Sequence, residues 1–197
     1  MSIVLAVATP SVAVLKCDGR ECNHEGVVIN EQRQKFTILG EHCAVGYTGT
    51  VDLIIAVLDK ALAISKEWGY TSDTLTVTVF SEICRKTLAE NEAFINRFAK
   101  PVINLVFVGL EDNKIIMKSL GTGNGYEIAD ATPVIANSFK YCSLTSDYAN
   151  DAIQFNKFYD GSKSLIDNMD NYIKYISMID FSVNTNISTA VLERKKE

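Results

Sequence analysis

The chain opens with an apolar, β-branched run that is followed at once by a second run of the same kind. Residues 2–9 and 12–17 both favour extended strand, and Pro10-Ser11 separates them. The second run ends at the turn sequence Asp18-Gly19. The pattern predicts a hairpin that begins at the start of the sequence. Because the first run lacks a basic beginning, we expect no leader peptide.

Composition limits the class of protein. With 47% hydrophobic and 22% charged residues, the sequence predicts one globular domain over residues 1–197. The net charge is −5 and the only basic run is Arg194-Lys195-Lys196, which argues against nucleic acid as a partner. No apolar stretch is long enough to span a membrane. We expect a cytoplasmic protein with reduced thiols at its five scattered cysteines. The two histidines, His24 and His42, are too far apart for a metal pair on one helix, so we predict no metal and no cofactor.

Periodicity assigns the elements in blocks. Four or five short strands precede Thr50, which is predicted to cap the first helix. This first helix is predicted to end at residue 68, and a second to run from Ser72 or Asp73 to 98. Strands are predicted over 102–109, 114–120 and 126–128. Two more helices, one from Ser146 or Asp147 and one over 164–178, precede a strand–turn–strand over 180–192. This order predicts an α+β fold, a four-layer αββα sandwich in which a helix pair covers each of two facing antiparallel sheets.

The start of the chain can carry chemistry. A small residue after Met1 lets an aminopeptidase remove the methionine, and Ser2 then has both a hydroxyl and a free α-amine. An amine with a pKa of about 7.7–8.0 can accept the hydroxyl proton near neutral pH. Asp18 and Lys35 lie at strand ends, where a sheet could bring them beside Ser2. The strand-to-helix junction that begins at Gly46 could supply a backbone N–H to an oxyanion.

Together these residues resemble the proteasome β subunits, and most closely the bacterial HslV-type peptidases. The interval from Ser2 to Asp18 matches the family without a gap, Lys35 falls one residue later, and Gly46 matches the glycine whose N–H binds the oxyanion. The resemblance implies the N-terminal-nucleophile (Ntn) hydrolase fold, with Ser2 as nucleophile. It also implies a peptide or unfolded-protein substrate, a homo-oligomeric ring and a possible ATPase unfoldase partner.

Beyond residue 70 the resemblance is weaker. Thr122, between two glycines, takes the place of the serine in the family's Gly-Ser-Gly, and Asp180 matches its second active-site aspartate. Val183 stands where proteasome subunits usually have serine. The interval from Thr122 to Asp180 is longer than the family's, so the hydroxyl could instead come from a residue nearer the insertion. The alternatives are Ser138, Ser143 and Thr145.

By the same resemblance, Arg33 and Thr37 face the pocket for the substrate side chain before the scissile bond. An arginine there indicates tolerance for acidic or polar side chains, and solvent exposure is the alternative. Asp18 could also be a simple turn former and Lys35 a solvated charge at a strand edge. Two other functions stay open: an inactive ring subunit, which the altered Gly-Ser-Gly favours, and an Ntn amidase that acts on a small molecule.

Overall fold

The computed structural model describes residues 2–23, 25–98, 101–134, 138–144 and 155–194. The strands are β1 (Val4–Ala8), β2 (Val12–Cys17), β3 (Glu21–Cys22), β4 (Val28–Asn30), β5 (Phe36–Ile38), β6 (Cys43–Gly49), β7 (Ile103–Glu111), β8 (Lys114–Gly121), β9 (Ala129–Asp130), β10 (Lys140–Leu144) and β11 (Ser188–Glu193). The α-helices are α1 (Val51–Glu67), α2 (Val77–Glu90), α3 (Glu92–Ile95), α4 (Phe155–Phe158) and α5 (Leu165–Ile179). A short 3₁₀ turn, Thr122–Asn124, follows β8.

The strands form two antiparallel sheets. The first has the order β10-β1-β2-β11 and the second β5-β6-β7-β8-β9, while β3 and β4 form a separate two-stranded ribbon. One apolar cluster lies between the sheets, with Val4, Leu15 and Ala190 on one side and Val106 and Met117 on the other. A second cluster joins α1 and α2 to the five-stranded sheet, and a third joins α4 and α5 to the four-stranded sheet. The predicted αββα layering is confirmed.

The opening hairpin lies inside the four-stranded sheet. β1 has β10 on one side and β2 on the other, and each of its residues is fully buried. Val4 and Ala6 face the second sheet, whereas Leu5 and Val7 face α5. A strand covered on both faces needs apolar residues at every position, which explains the uninterrupted run.

The second helix begins later than predicted. α2 starts at Val77, because the side chain of Thr76 accepts a hydrogen bond from Val79 N–H and caps it. Residues 71–74 form a hydrogen-bonded turn in which Leu75 N–H donates to the Thr71 carbonyl. The β-branched residues before Val77 therefore belong to the connection between α1 and α2, which agrees with their low helix propensity.

Two other element assignments need correction. The strand predicted over 126–128 lies at Ala129–Asp130. The strand predicted from residue 180 is a turn, and only Ser188–Glu193 forms strand. The helix predicted from Ser146 or Asp147 falls largely outside the described residues, and α4 is its described part. No helix within the described ranges combines the length and the apolarity that crossing a membrane requires.

Candidate active site

Asp18 is the most enclosed carboxylate of the site. It follows β2 directly, and its side chain is inaccessible to solvent. Its Oδ1 accepts hydrogen bonds from Lys35 Nζ at 2.5 Å and from Ile3 N–H at 2.9 Å. Its Oδ2 accepts from Arg20 N–H at 2.8 Å and from Asn184 N–H at 3.4 Å. One carboxylate therefore joins the start of β1, a buried cation and a segment near the end of the chain.

Ser2 lies directly beside this carboxylate. Val4 pairs with Cys17 across the hairpin, and Asp18 N–H donates to the Ile3 carbonyl at 3.3 Å, so Ile3 lies opposite Asp18. Continuing the register places half-buried Ser2 opposite Gly19. Since Lys35 Nζ and Ile3 N–H share one acceptor oxygen, the Lys35 ammonium lies within two hydrogen-bond lengths of the residue bonded to Ser2.

Burial dominates the electrostatics of Lys35. Its side chain is 3% exposed. Burial lowers the pKa of Lys35, and the charge and hydrogen bond of Asp18 oppose that shift without cancelling it. The neighbouring thiol of Cys17 accepts Lys35 N–H at 3.3 Å, and burial raises the pKa of this thiol. Cys17 therefore stays protonated near neutral pH, and Asp18 is the anion that faces the lysine.

Gly46 lies on the face of the five-stranded sheet that packs against Val4 of β1. It pairs with Phe36 on one side and Val106 on the other. A Cβ at this position would lie 2.6 Å from Leu15 Cδ2 and 2.6 Å from Val4 Cγ1, so close packing of the sheets requires glycine.

The direction of the Gly46 N–H bears on its predicted role. Tyr47 N–H donates to the Lys35 carbonyl at 2.9 Å, which ties β6 to the segment that carries the lysine. Because N–H directions alternate along a strand, the Gly46 N–H faces Val106 of β7. The described geometry thus explains the presence of glycine at position 46 by the packing of the two sheets. Its role as an oxyanion donor stays a prediction.

The segment after α5 packs against the Asp18 turn. Gly19 N–H donates to Asn184 Oδ1 at 2.8 Å, in addition to the bond from Asn184 N–H to Asp18. Asp180 Oδ1 accepts from the backbone N–H of Ser182 at 2.9 Å and from its hydroxyl at 2.5 Å. Asp180 is therefore connected to Asp18 through the five residues from Asp180 to Asn184.

Sequence reasoning missed Ser182 and Asn184. Both are buried, and their signal was present in the stretch from 180 to 186, whose Asp-x-Ser and Asn-x-Asn pattern is typical of side-chain-stabilised turns. Val183, between these two residues, packs into the cluster beneath α5.

Thr122 lies at the end of β8, where the 3₁₀ turn begins. Its hydroxyl accepts from Ile103 N–H at 3.4 Å, where β7 begins. Gly121 pairs with Asn104, whereas Ser119 pairs with Val106, the partner of Gly46. The paired residues Gly46, Val106 and Ser119 form one row across the sheet, the Gly46 row. Thr122 is thus three residues, or about 10 Å, along the strand from the Gly46 row.

The alternative hydroxyls belong to or border β10. This strand pairs with β1, so that Leu144 lies opposite Val4 and Ser143 opposite Leu5. Ser143 therefore lies beside the start of β1, and its hydroxyl is buried near Tyr172. Ser138 precedes the strand, and Thr145 lies outside the described residues.

Polar residues around the Asp18 turn complete the site. Arg20 forms an ion pair with Glu31 at 3.1 Å, and Asn184 Nδ2 donates to the same carboxylate at 2.5 Å. Arg33 N–H donates to the Gly19 carbonyl at 2.8 Å, while Thr37 is exposed on β5. In the part of the chain that the structure describes, no three His, Cys, Asp or Glu residues are grouped closely enough to hold a metal ion.

Comparison with known proteins supports the fold. No family model matches the chain, and no curated protein matches its sequence. Among solved structures, the crystal structure of eukaryotic HslV from Trypanosoma brucei matches with a TM-score of 0.70 and 17% identity. The match covers 97% of this chain and 99% of that chain. At this identity the likeness shows a shared fold. The predicted resemblance to HslV therefore holds for the fold, and the αββα sandwich predicted from the sequence is confirmed.

Proposed function

We propose that this protein is an N-terminal-nucleophile peptidase in which Ser2, exposed by removal of Met1, attacks the carbonyl carbon of a peptide bond. The observation that carries the proposal is the Asp18 carboxylate, whose Oδ1 holds both Lys35 Nζ and the backbone N–H next to Ser2. The shared fold with HslV supports it.

The energetic cost of burying the Asp18–Lys35 ion pair favours a catalytic role for it. Both side chains are almost completely removed from water, and such a pair is often no more stabilising than apolar residues of the same volume. Perturbed ionisable groups in such surroundings are typical of active sites. An ion pair attached to the chain terminus is therefore better explained by chemistry than by stability.

The proposed reaction begins with proton transfer from Ser2 Oγ to its own α-amine. The Lys35 cation stabilises the developing alkoxide and, by like-charge repulsion, keeps the amine neutral and able to accept the proton. Oγ then bonds to the carbonyl carbon. Since the N–H groups of Gly46 and Tyr47 face neighbouring strands, a backbone N–H of the strand-to-helix junction beyond Tyr47 stabilises the oxyanion. The C–N bond breaks as the ammonium returns its proton to the leaving amine. Water next hydrolyses the Ser2 ester and frees the acyl product.

Several residues would hold this arrangement in place. Asp18 orients Lys35. Asp180 acts as a positioning residue, because it holds Ser182 in the turn from which Asn184 bonds to Asp18. A hydroxyl that contacts the α-amine is predicted at Thr122, whose described contact is with the Ile103 N–H.

The wider assignments follow the same proposal. We expect a cytoplasmic homo-oligomeric ring with Ser2 facing an enclosed chamber. The substrates would be peptides or unfolded proteins, and an ATPase unfoldase would deliver them. The second candidate function is an inactive subunit of such a ring, and the position of Thr122 away from the Gly46 row favours it.

Intact mass and an electrophilic probe test the central claim. We expect the purified protein to lack Met1 and a peptide epoxyketone or vinyl sulfone to add once, at Ser2. Ser2→Ala should abolish labelling and peptide hydrolysis. Ser11→Ala, which removes an exposed hydroxyl from the β1–β2 turn, should retain both. If Met1 is absent, neither probe labels the protein and Ser2→Ala changes no peptidase activity, the inactive subunit is the correct assignment.

A further inference from the structure

Glu31 joins three segments around Asp18, and the proposed reaction does not use it. It follows β4 directly, and its carboxylate forms a bidentate ion pair with Arg20. Arg20 Nη2 lies 3.1 Å from Oε1, and Arg20 Nε donates to Oε2 at 3.2 Å. Oε2 also accepts from Asn184 Nδ2 at 2.5 Å. The side chain therefore connects the Asp18 turn, the end of β4 and the segment that follows α5.

The main chain of Glu31 holds the same segments together. Its carbonyl accepts hydrogen bonds from Asn184 Nδ2 and from Asn186 Nδ2, both at 2.9 Å. A Cβ at Gly19 would lie 2.5 Å from this carbonyl oxygen, so the turn packs against it closely enough to require glycine. Because the carbonyl and the carboxylate of one residue both accept from Asn184 Nδ2, this amide is held at two points.

Arg20 closes the arrangement from the other side. Its Nη1 donates to the Phe181 carbonyl, and its backbone N–H donates to Asp18 Oδ2 at 2.8 Å. The hydrogen bonds from Arg20 and Asn184 lower the pKa of Glu31, so this residue is ionised near neutral pH. An exposed Arg–Glu pair usually contributes little, but bidentate geometry and membership of a network are the conditions in which it contributes more. Glu31 meets both conditions.

Asn184 carries the effect of Glu31 to the proposed active site. Its Oδ1 accepts from Gly19 N–H at 2.8 Å, and its backbone N–H donates to Asp18 Oδ2 at 3.4 Å. Asp18 Oδ1 in turn accepts from Lys35 Nζ. A single residue, Asn184, therefore links the Glu31 carboxylate to the carboxylate that orients the lysine.

We propose that Glu31 is a positioning residue, which acts through Asn184 to hold Asp18 and Lys35 in the arrangement that activates Ser2. This inference rests on the proposed function and adds a residue to it. A misplacement of about 1 Å at a reacting group can slow a reaction about 10²-fold, so a contact outside the site can control the rate. Because Glu31 acts on the position of Asp18, its loss should slow the covalent step and leave affinity for the substrate almost unchanged.

Labelling of Ser2 by a peptide epoxyketone, followed by intact mass, tests this role. Glu31→Gln keeps the shape of the side chain, but a carboxamide has one acceptor oxygen where Arg20 and Asn184 use two. The maximal labelling rate at saturating probe should fall by roughly 10- to 100-fold. The probe concentration that gives half of this rate should stay within about threefold. Glu31→Asp, which restores the charge on a shorter side chain, should recover part of the rate.

Glu82→Gln is the matched control. Glu82 pairs with Arg85 on α2, and its side chain is 48% exposed, against 47% for Glu31. This variant should change neither the maximal rate nor the probe concentration at half of it. An unchanged maximal rate in Glu31→Gln overturns the proposal, as does an equal loss in the control.

A double-mutant cycle tests the route. Asn184→Ala removes the side chain that links Glu31 to the Asp18 turn. In the Asn184→Ala background, Glu31→Gln should slow labelling by less than about twofold, because the connection is already broken. The full effect of Glu31→Gln in that background overturns the proposal, since a residue that only stabilises the fold affects both backgrounds alike.

Hydrogen exchange separates this inference from the proposed function. The backbone N–H groups of Gly19 and Arg20 bind Asn184 and Asp18, so their exchange reports on the turn without any reaction. Glu31→Gln should speed their exchange by roughly tenfold, which corresponds to the loss of one hydrogen bond. If no form of the protein is labelled but exchange responds in this way, the peptidase assignment fails and the positioning of Asp18 stands. If exchange is unchanged, the positioning role is wrong, whether or not the protein is labelled.

Discussion

Two buried lysines form ion pairs around β2, and the pairs have the same length. Lys16 Nζ lies 2.5 Å from Asp170 Oδ1 of α5, and Lys35 Nζ lies 2.5 Å from Asp18 Oδ1. The lysine side chains are 2% and 3% exposed. The carboxylates differ, because the side chain of Asp170 is 30% exposed and that of Asp18 is not exposed at all.

The comparison shows what separates a structural pair from a candidate site. Asp170 can keep part of its hydration while it joins helix to sheet. Asp18 has lost all of its hydration and replaces it with Lys35 and three backbone N–H groups, from Ile3, Arg20 and Asn184. A carboxylate solvated only by protein holds its partners in one arrangement, which a preorganised site needs.

The largest expected difference between the two pairs is in reactivity. Lys35→Met should slow labelling of Ser2 by roughly 10²- to 10⁴-fold, because the cation that tunes the nucleophile is removed. Lys16→Met should change the rate by no more than about fivefold, since the pair that it breaks keeps a hydrated carboxylate. Time-resolved intact mass, with circular dichroism to verify folding, measures both. Equal rates in the two variants would erase the functional distinction between the pairs.

The same variants should differ in stability. Lys35→Met leaves the Asp18 carboxylate buried without a counter-ion, which costs about 3–5 kcal/mol in the free energy of unfolding. Lys16→Met leaves Asp170 with access to water and should cost about 1 kcal/mol or less. Urea denaturation at pH 7 measures both values. A loss for Lys16→Met as large as that for Lys35→Met would mean that exposure of the carboxylate does not decide the cost.

The pH dependence gives the smallest and most specific test. Burial lowers the pKa of Lys35 in the folded state below the value of about 10.5 for an exposed lysine. Between the folded and unfolded pKa values the unfolded state therefore binds more protons, so folding stability rises with pH in that window. Lys35→Met lacks this gain, and its deficit should grow above neutral pH by at most about 1.4 kcal/mol per pH unit.

Denaturation curves of both proteins from pH 7 to pH 10 measure that deficit. If the deficit shrinks as the pH rises, attraction to Asp18 outweighs burial and the pKa of Lys35 is raised instead. Below the folded pKa the deficit should be constant, since Lys35 is protonated there in both states.

Much of the fold could be predicted because it follows local patterns. The unbroken apolar run of β1 already indicates a strand with two buried faces, and α1 and α5 lie close to their predicted limits. Predictions failed where local preference was ambiguous, as in the β-branched residues before Val77, and where a turn held by Ser182 replaced a predicted strand. Such turns depend on side-chain hydrogen bonds that periodicity does not detect.

Part of the site was also predictable. The spacing of Ser2, Asp18 and Lys35 at strand ends indicated that they would meet, and the structure brings Asp18 and Lys35 together and places Ser2 next to them. The hydroxyl near the amine was harder to assign. Thr122 and Ser143 both follow strand patterns, but only the pairing of β10 with β1 shows which strand borders the start of the chain.

The sequence by itself determined the layers and the candidate residues, since burial periodicity and turn chemistry are properties of neighbouring residues. It could not determine which carboxylate each lysine meets. Lys16 lies closer to Asp18 along the chain than Lys35 does, but alternation along β2 turns Lys16 toward Asp170, 154 residues away. Asn184 reaches Asp18 across 166 residues. Only tertiary packing decides contacts at such separations, because they depend on how the sheets and helices stack.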